Sequence, residues 1–149
     1  MSLTRLDDHS LDHLESLDHL EEAKKTIDRA VLEEIHNLSE EALDSLPFGA
    51  ICLDEDGTIL SYNDHEAKLT GRDPRLVIGR NFFTEVAPCT NVREFAGRFQ
   101  EGVRNRNLHA VFPYRFDFKM RPRRVWVTLF YCEATEAAWV FVREDNPAS

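Results

Sequence analysis

The chain has 149 residues, 42% of them hydrophobic, enough for one packed domain and an appendage. Its net charge of −9 is unevenly spread: residues 1–45 hold 13 acids and 4 bases, whereas residues 46–149 hold 14 of each. A neutral body behind an acidic front lacks the clustered basic surface that nucleic acid or an anionic membrane requires, so neither is expected as a partner.

No apolar run reaches the ~18 residues needed to span a bilayer, and no signal peptide is visible, so the expected address is the cytoplasm. Cys52, Cys89 and Cys132 are an odd number with no close pair, which suits neither a disulfide framework nor a zinc site. Each is read as a free thiol.

The first segment repeats SLDHLE at 10–15 and 16–21, and Ile27, Val31, Ile35 and Leu38 continue with helical spacing. Residues 10–37 are read as helical, with a break admitted near Lys24 and Lys25. This acidic extension, residues 1–45, either packs on the body or pairs helices in a dimer, so the chain is a monomer or a dimer through this region. Ser10 stands where a heptad wants leucine, which favours packing on the body. His9 and His13 have a spacing a metal could use, but such pairs ordinarily lie on a solvated face, and no metal is expected. Ser39 caps a short helix with Glu40 and Glu41 in its first turn, ending before Pro47.

From Phe48 two short apolar strands flank an Asp-Gly turn, the pattern of a hairpin. A short helix spans Asn63 to Leu69 and stops at Gly71. Asp73-Pro74 begins another turn. Asn91 and Glu94 have the form of a capping box, followed by Phe95, Phe99 and Val103 on one helical face. Strands follow at about 109–118, 123–133 and 137–143. The order implies an α+β fold in which a sheet carries its helices on one face, with a pocket between.

Two groups can carry chemistry. Tyr62, Glu66 and Thr70 are spaced by four and would stack on one face if 62–70 is helical. They would make a chain of hydrogen bonds, and burial would raise the Glu66 pKa and leave a neutral proton donor. A polar face turned to water is the plain alternative. Cys89 lies in a loop before the Asn91 cap, where a helix dipole favours the thiolate; a small buried hydrophobe is the alternative. Cys52 and Cys132 sit in strand patterns and suit the buried role. No general base is placed beside Cys89, so an attachment point fits better than a turnover nucleophile, and no catalytic residue is assigned.

Phe48-Gly49-Ala50-Ile51, Tyr62-Asn63, Glu66, Thr70-Gly71-Arg72-Asp73-Pro74, Val77-Ile78-Gly79, Asn81-Phe82-Phe83 and Val86-Ala87-Pro88-Cys89-Thr90 together resemble the photoactive yellow protein family. The likeness continues through Phe95, Phe99, Tyr114, Phe116 and Met120 to Trp139–Val142, over about residues 44–143. It implies a PAS fold: a five-stranded antiparallel sheet with helices on one face, over residues 46–149, behind the N-terminal helical extension. It implies a blue-light photoreceptor, not an enzyme, holding p-coumaric acid as a thioester on Cys89. Tyr62 and protonated Glu66 would hydrogen-bond the chromophore, Thr70 would donate to Tyr62, and Arg72 would screen the pocket. Ile51, Phe82, Val86, Ala87, Thr90, Phe95, Phe116, Phe118 and Met120 would complete its walls. Light would isomerise the chromophore from trans to cis, Glu66 would give up its proton, and the N-terminal segment would be released toward a downstream signalling protein. Phe118 stands where the best-known members have tyrosine, Pro113 breaks a strand, and His65 and Lys68 flank Glu66 where small or acidic residues are familiar. A plain PAS interaction module and a sensor of a noncovalent aromatic ligand are the rival readings.

Overall fold

The computed structural model describes residues 27–117 and 122–144. Among the described residues, helices α1 (Arg29–Glu34) and α2 (Glu40–Asp44) come first, with a 3-10 turn at Ile35–Asn37 between them. Strands β1 (Gly49–Leu53) and β2 (Ile59–Tyr62) follow, then α3 (Asp64–Thr70) and α4 (Pro74–Val77). A π-helical turn (Phe82–Val86), a 3-10 turn (Pro88–Thr90) and a second π turn (Arg93–Gly97) lead into α5 (Arg98–Asn105). Strands β3 (His109–Asp117), β4 (Pro122–Cys132) and β5 (Ala137–Glu144) close the chain.

The strands form one antiparallel sheet in the order β2-β1-β5-β4-β3. The first hairpin turns at Asp54–Gly57, where the Asp54 carboxylate accepts from the Asp56 and Thr58 amides. Gly57 supplies the positive φ the turn needs. β1 is buried along its whole length, because both faces of the sheet are covered. On one face Ile51, Leu53, Val125, Val127, Leu129, Val140 and Val142 pack against Val77, Phe95, Phe99 and Leu108 of the α3–α5 side. On the other, Ala50, Cys52, Cys132, Trp139 and Phe141 pack against Ile27, Leu32, Ile35 and Leu43. The sheet therefore separates two cores, and the N-terminal helices lie on the face opposite the other helices.

Three local expectations need correction. The helix ending at Asn37 is not continuous with what precedes it, because Asp28 has a non-helical backbone and caps α1 through the Ala30 amide. Pro113 does not break β3, which runs through it in register with Trp126. β3 is an edge strand, where the missing N–H leaves no central ladder bond unmade. The Asn91 capping box does not form; its geometry bears on the site below. Ser39, by contrast, caps α2 through the Ala42 amide as expected. The histidine pair at 9 and 13 lies outside the described residues. Among the described residues no helix is long and apolar enough to cross a membrane.

Candidate functional site

Asn63 sets the position of α3. It is 2% exposed and uses all its hydrogen-bonding capacity. Its Oδ1 accepts from the Glu66 amide at 3.1 Å, capping the helix, and from the Ala50 amide of β1 at 2.9 Å. Its Nδ2 donates to the Leu43 carbonyl at 2.8 Å and to the Phe48 carbonyl at 3.0 Å. One side chain thus ties α3 to β1 and to the end of α2. Asn63→Ala is expected to cost about 2 kcal/mol in urea unfolding, through the lost cap and the buried groups left unpaired. Asn63→Asp would keep the cap but lose both donated bonds, so its stability should fall short of the wild type; equal stability would show that the Leu43 and Phe48 bonds do not matter.

α3 ends at Gly71, whose φ of +74° suits the left-handed C-terminal position. Between α3, the first π turn and the Cys89 loop lies a cavity of about 450 Å³. It is lined by Tyr62, Glu66, Thr70, Gly71, Arg72, Phe82, Val86, Ala87, Pro88, Cys89 and Phe116. Tyr62 is not on the helix, as its spacing suggested, but is the last residue of β2, paired with Ile51. Strand and helix converge there, so the Tyr62 and Thr70 hydroxyls meet at 2.8 Å all the same. Thr70 also donates to the Glu66 carbonyl at 3.0 Å. Its single proton can serve either that carbonyl or the Tyr62 oxygen, so either hydroxyl can be the donor between Tyr62 and Thr70.

Glu66 is 2% exposed, and its Oε1 has no hydrogen-bond partner among the described residues. Burial raises its pKa from 4.5 to about 8, so at neutral pH it is a carboxylic acid with a proton to donate. Burial, reinforced by Glu66, also pushes the Tyr62 phenol up, while the Thr70 hydrogen bond and Arg72 pull it down. Two neutral O–H donors therefore stand beside one cavity, with the exposed Arg72 at its rim.

Cys89 is half-buried in the 3-10 turn, and it is not next to a helix start. Asn91 is drawn into closing that turn, its amide donating to the Pro88 carbonyl at 3.0 Å. Val92 is extended, and helical geometry begins at Arg93 without a side-chain cap. The dipole argument for the Cys89 thiol therefore does not apply. The loop is held by other bonds: the Thr90 hydroxyl donates to the Ala87 carbonyl at 2.6 Å, and the Tyr114 hydroxyl donates to the Cys89 carbonyl at 2.5 Å. Phe95 backs it, in ring contact with Phe82, Phe83, Phe112, Tyr114 and Phe116.

The cavity thus gathers Cys89, Tyr62, Glu66, Thr70, Arg72, Phe82, Val86, Ala87 and Phe116. Ile51, Thr90 and Phe95 are fully buried, outside its lining. Phe118 and Met120 lie outside the described residues. Lys68 points to water in an ion pair with Asp64 at 3.0 Å. Sequence reasoning missed the Asn63 clamp, the Tyr114 bond, and Gly71 and Pro88 in the lining. An asparagine just before a helix was a legible capping signal; the Tyr114 bond spans 25 residues and had none.

A five-stranded antiparallel sheet with helices over a ligand-sized cavity is the architecture of a PAS sensor domain, and the family model for the PAS fold matches residues 37–144. Photoactive yellow protein of Rhodothalassium salexigens is 50% identical over 107 residues, covering 72% of this chain and 86% of that protein. Photoactive yellow protein of Rhodobacter capsulatus is 39% identical over 100 residues, covering 67% and 81%. The crystal structure of the photoactive yellow protein domain from the sensor histidine kinase Ppr of Rhodospirillum centenum superposes with a TM-score of 0.73 at 46% identity, covering 75% of this chain and 98% of that one. The chain belongs to the photoactive yellow protein family of PAS-domain photoreceptors, signalling proteins and not enzymes.

Proposed function

We propose that this chain senses blue light through p-coumaric acid bound as a thioester on Cys89. The observation that carries the reading is the meeting, in one cavity, of a loop thiol with two buried neutral donors, Tyr62 and Glu66. Bound there, the chromophore supplies visible absorption and a light-driven trans–cis isomerisation.

The residues divide the remaining work. Cys89 is the attachment point, with its carbonyl fixed by Tyr114. Tyr62 and Glu66 would hold the chromophore's phenolic oxygen by hydrogen bonds, without which a buried phenolate is an expensive unpaired charge. Arg72 adds positive potential at the rim. When Glu66 gives up its proton, a carboxylate without a cation among its hydrogen-bonded neighbours is left in an apolar wall, a state that loosens packing. Asn63 bonds both the Glu66 amide and the Leu43 carbonyl, which gives the disturbance a short route to the N-terminal helices on the far face. We assign the acidic residues 1–45, with their net −9, as the segment released toward a downstream partner.

The test is reconstitution with an activated ester of p-coumaric acid. The Cys89 sulfur attacks the acyl carbon, the bond to the leaving group breaks, and the thiol proton leaves with it. The product should be yellow, should bleach after a blue flash and recover in the dark, and should show faster hydrogen exchange in residues 1–45 while bleached. A folded protein that stays colourless would leave a plain PAS interaction module. A normal photocycle with unchanged exchange in 1–45 would remove only the output assignment.

A further inference from the structure

Gly49 opens β1, in register with Val142 of β5, and its φ is ordinary; the positive-φ glycines are Gly57, Gly71 and Gly79. Backbone conformation therefore does not demand glycine there, and a strand position disfavours it, because glycine loses the most freedom on folding and contributes no side chain to pack. What demands it is space. A Cβ on Gly49 would stand 1.9 Å from Glu66 Oε1, closer than atoms can approach, and a tight 3.0 Å and 3.2 Å from its Cδ and Cβ.

The closeness is imposed by Asn63. Its amide bonds the Phe48 carbonyl and the Ala50 amide, the backbone groups on either side of Gly49, while the same Oδ1 accepts from the Glu66 amide. The clamp draws β1 against the first turn of α3 until only a residue without a side chain fits between strand and carboxyl. Oε1 therefore lies buried against bare backbone, with no hydrogen-bond partner among the described residues.

We propose that Gly49 is a positioning residue for Glu66: its missing side chain is the slot that keeps the carboxyl inside the wall between β1 and α3 and out of water. The proposal deepens the photoreceptor reading, since on that reading it is this carboxyl that donates to the chromophore. A methyl group at 49 has two outcomes open to it. It pushes the carboxyl toward the cavity mouth, where water stabilises its charged form, or it prises β1 from α3 against the Asn63 bonds.

The experiment uses the full chain without chromophore, as wild type, Gly49→Ala, Glu66→Ala and the double variant. Urea unfolding is followed at neutral pH, and the infrared carbonyl band of the buried carboxylic acid, assigned by its loss in Glu66→Gln, is titrated. Gly49→Ala should destabilise the chain when residue 66 is glutamate and should be nearly silent when it is alanine. The carboxyl band should titrate at least about one pH unit lower in Gly49→Ala, a tenfold gain in acidity. If Gly49→Ala does not fold, folding of the double variant carries the same conclusion. Equal destabilisation in both backgrounds, an unshifted titration, or failure of both variants to fold would overturn the proposal and make Gly49 a purely structural glycine. Because no pigment is needed, a wild type that refuses the chromophore would sink the photoreceptor reading while these measurements still judge Gly49.

Discussion

Cys89→Ala should form no covalent pigment at all, while unfolding within about 1 kcal/mol of the wild type, since a half-buried thiol in a loop contributes little packing. The prediction is absolute because the other thiols cannot substitute. Cys52 and Cys132 lie buried in the core on the opposite face of the sheet, among Trp139, Phe141 and the N-terminal helices. Burial, with Cys132 and Asp54 adding to it, pushes the Cys52 thiol up to about 12. At neutral pH that leaves roughly one thiolate in 100,000, too few to attack an activated ester at a useful rate. Mass spectrometry of the denatured chain reads the result directly: one added acyl group in the wild type, none in Cys89→Ala. An adduct that persists in the variant would place the attachment elsewhere. A colour that persists without an adduct would instead mark a noncovalent ligand site in the same cavity.

The second large effect is a pH dependence of stability that disappears in Glu66→Gln. The native pKa of Glu66, about 8, lies above its ordinary value of 4.5. Between those limits the folded chain holds a proton that the unfolded chain has released, so stability falls as pH rises through the window. Below it both states are protonated, and above it both are ionised, so the dependence on this group flattens at either end. The loss across the whole window is on the order of 5 kcal/mol, and glutamine, which has no proton to lose, should escape it. Urea unfolding of the two proteins at intervals from acid to mildly alkaline pH should give curves that diverge steadily toward high pH, with Glu66→Gln the more stable. Parallel curves would mean that the Glu66 carboxylate finds a partner or water on ionising. The same free energy bears on the proposed photocycle. A proton removed from Glu66 by light creates the same buried carboxylate, so the divergence measures what is available to loosen the N-terminal helices.

What was legible in the sequence is what short-range chemistry decides. The hairpin around Gly57, the Ser39 cap, the Gly71 stop and the three closing strands depend on turn geometry and on side-chain alternation, and each lies within a few residues of its cause. The pairing of Cys89 with Tyr62, Glu66 and Thr70 was read from a family likeness over much of the chain, not from any spacing. The misreadings share a physical origin. Tyr62, Glu66 and Thr70 looked like one helical face, yet Tyr62 reaches Thr70 from a strand, because the chain turns at Asn63. Asn91 looked like a cap, yet the turn begun by Pro88 took its amide first and delayed the helix to Arg93. The sequence by itself determined the strands, the Ser39 cap, the Gly71 stop and the stock of ionisable groups. Only the tertiary structure decided which of those groups lost water and partners. Burial against Gly49, the bonds of Asn63 to Leu43 and Phe48, and the Tyr114 bond to Cys89 join distant segments, and a pKa is moved by the surroundings that such contacts create.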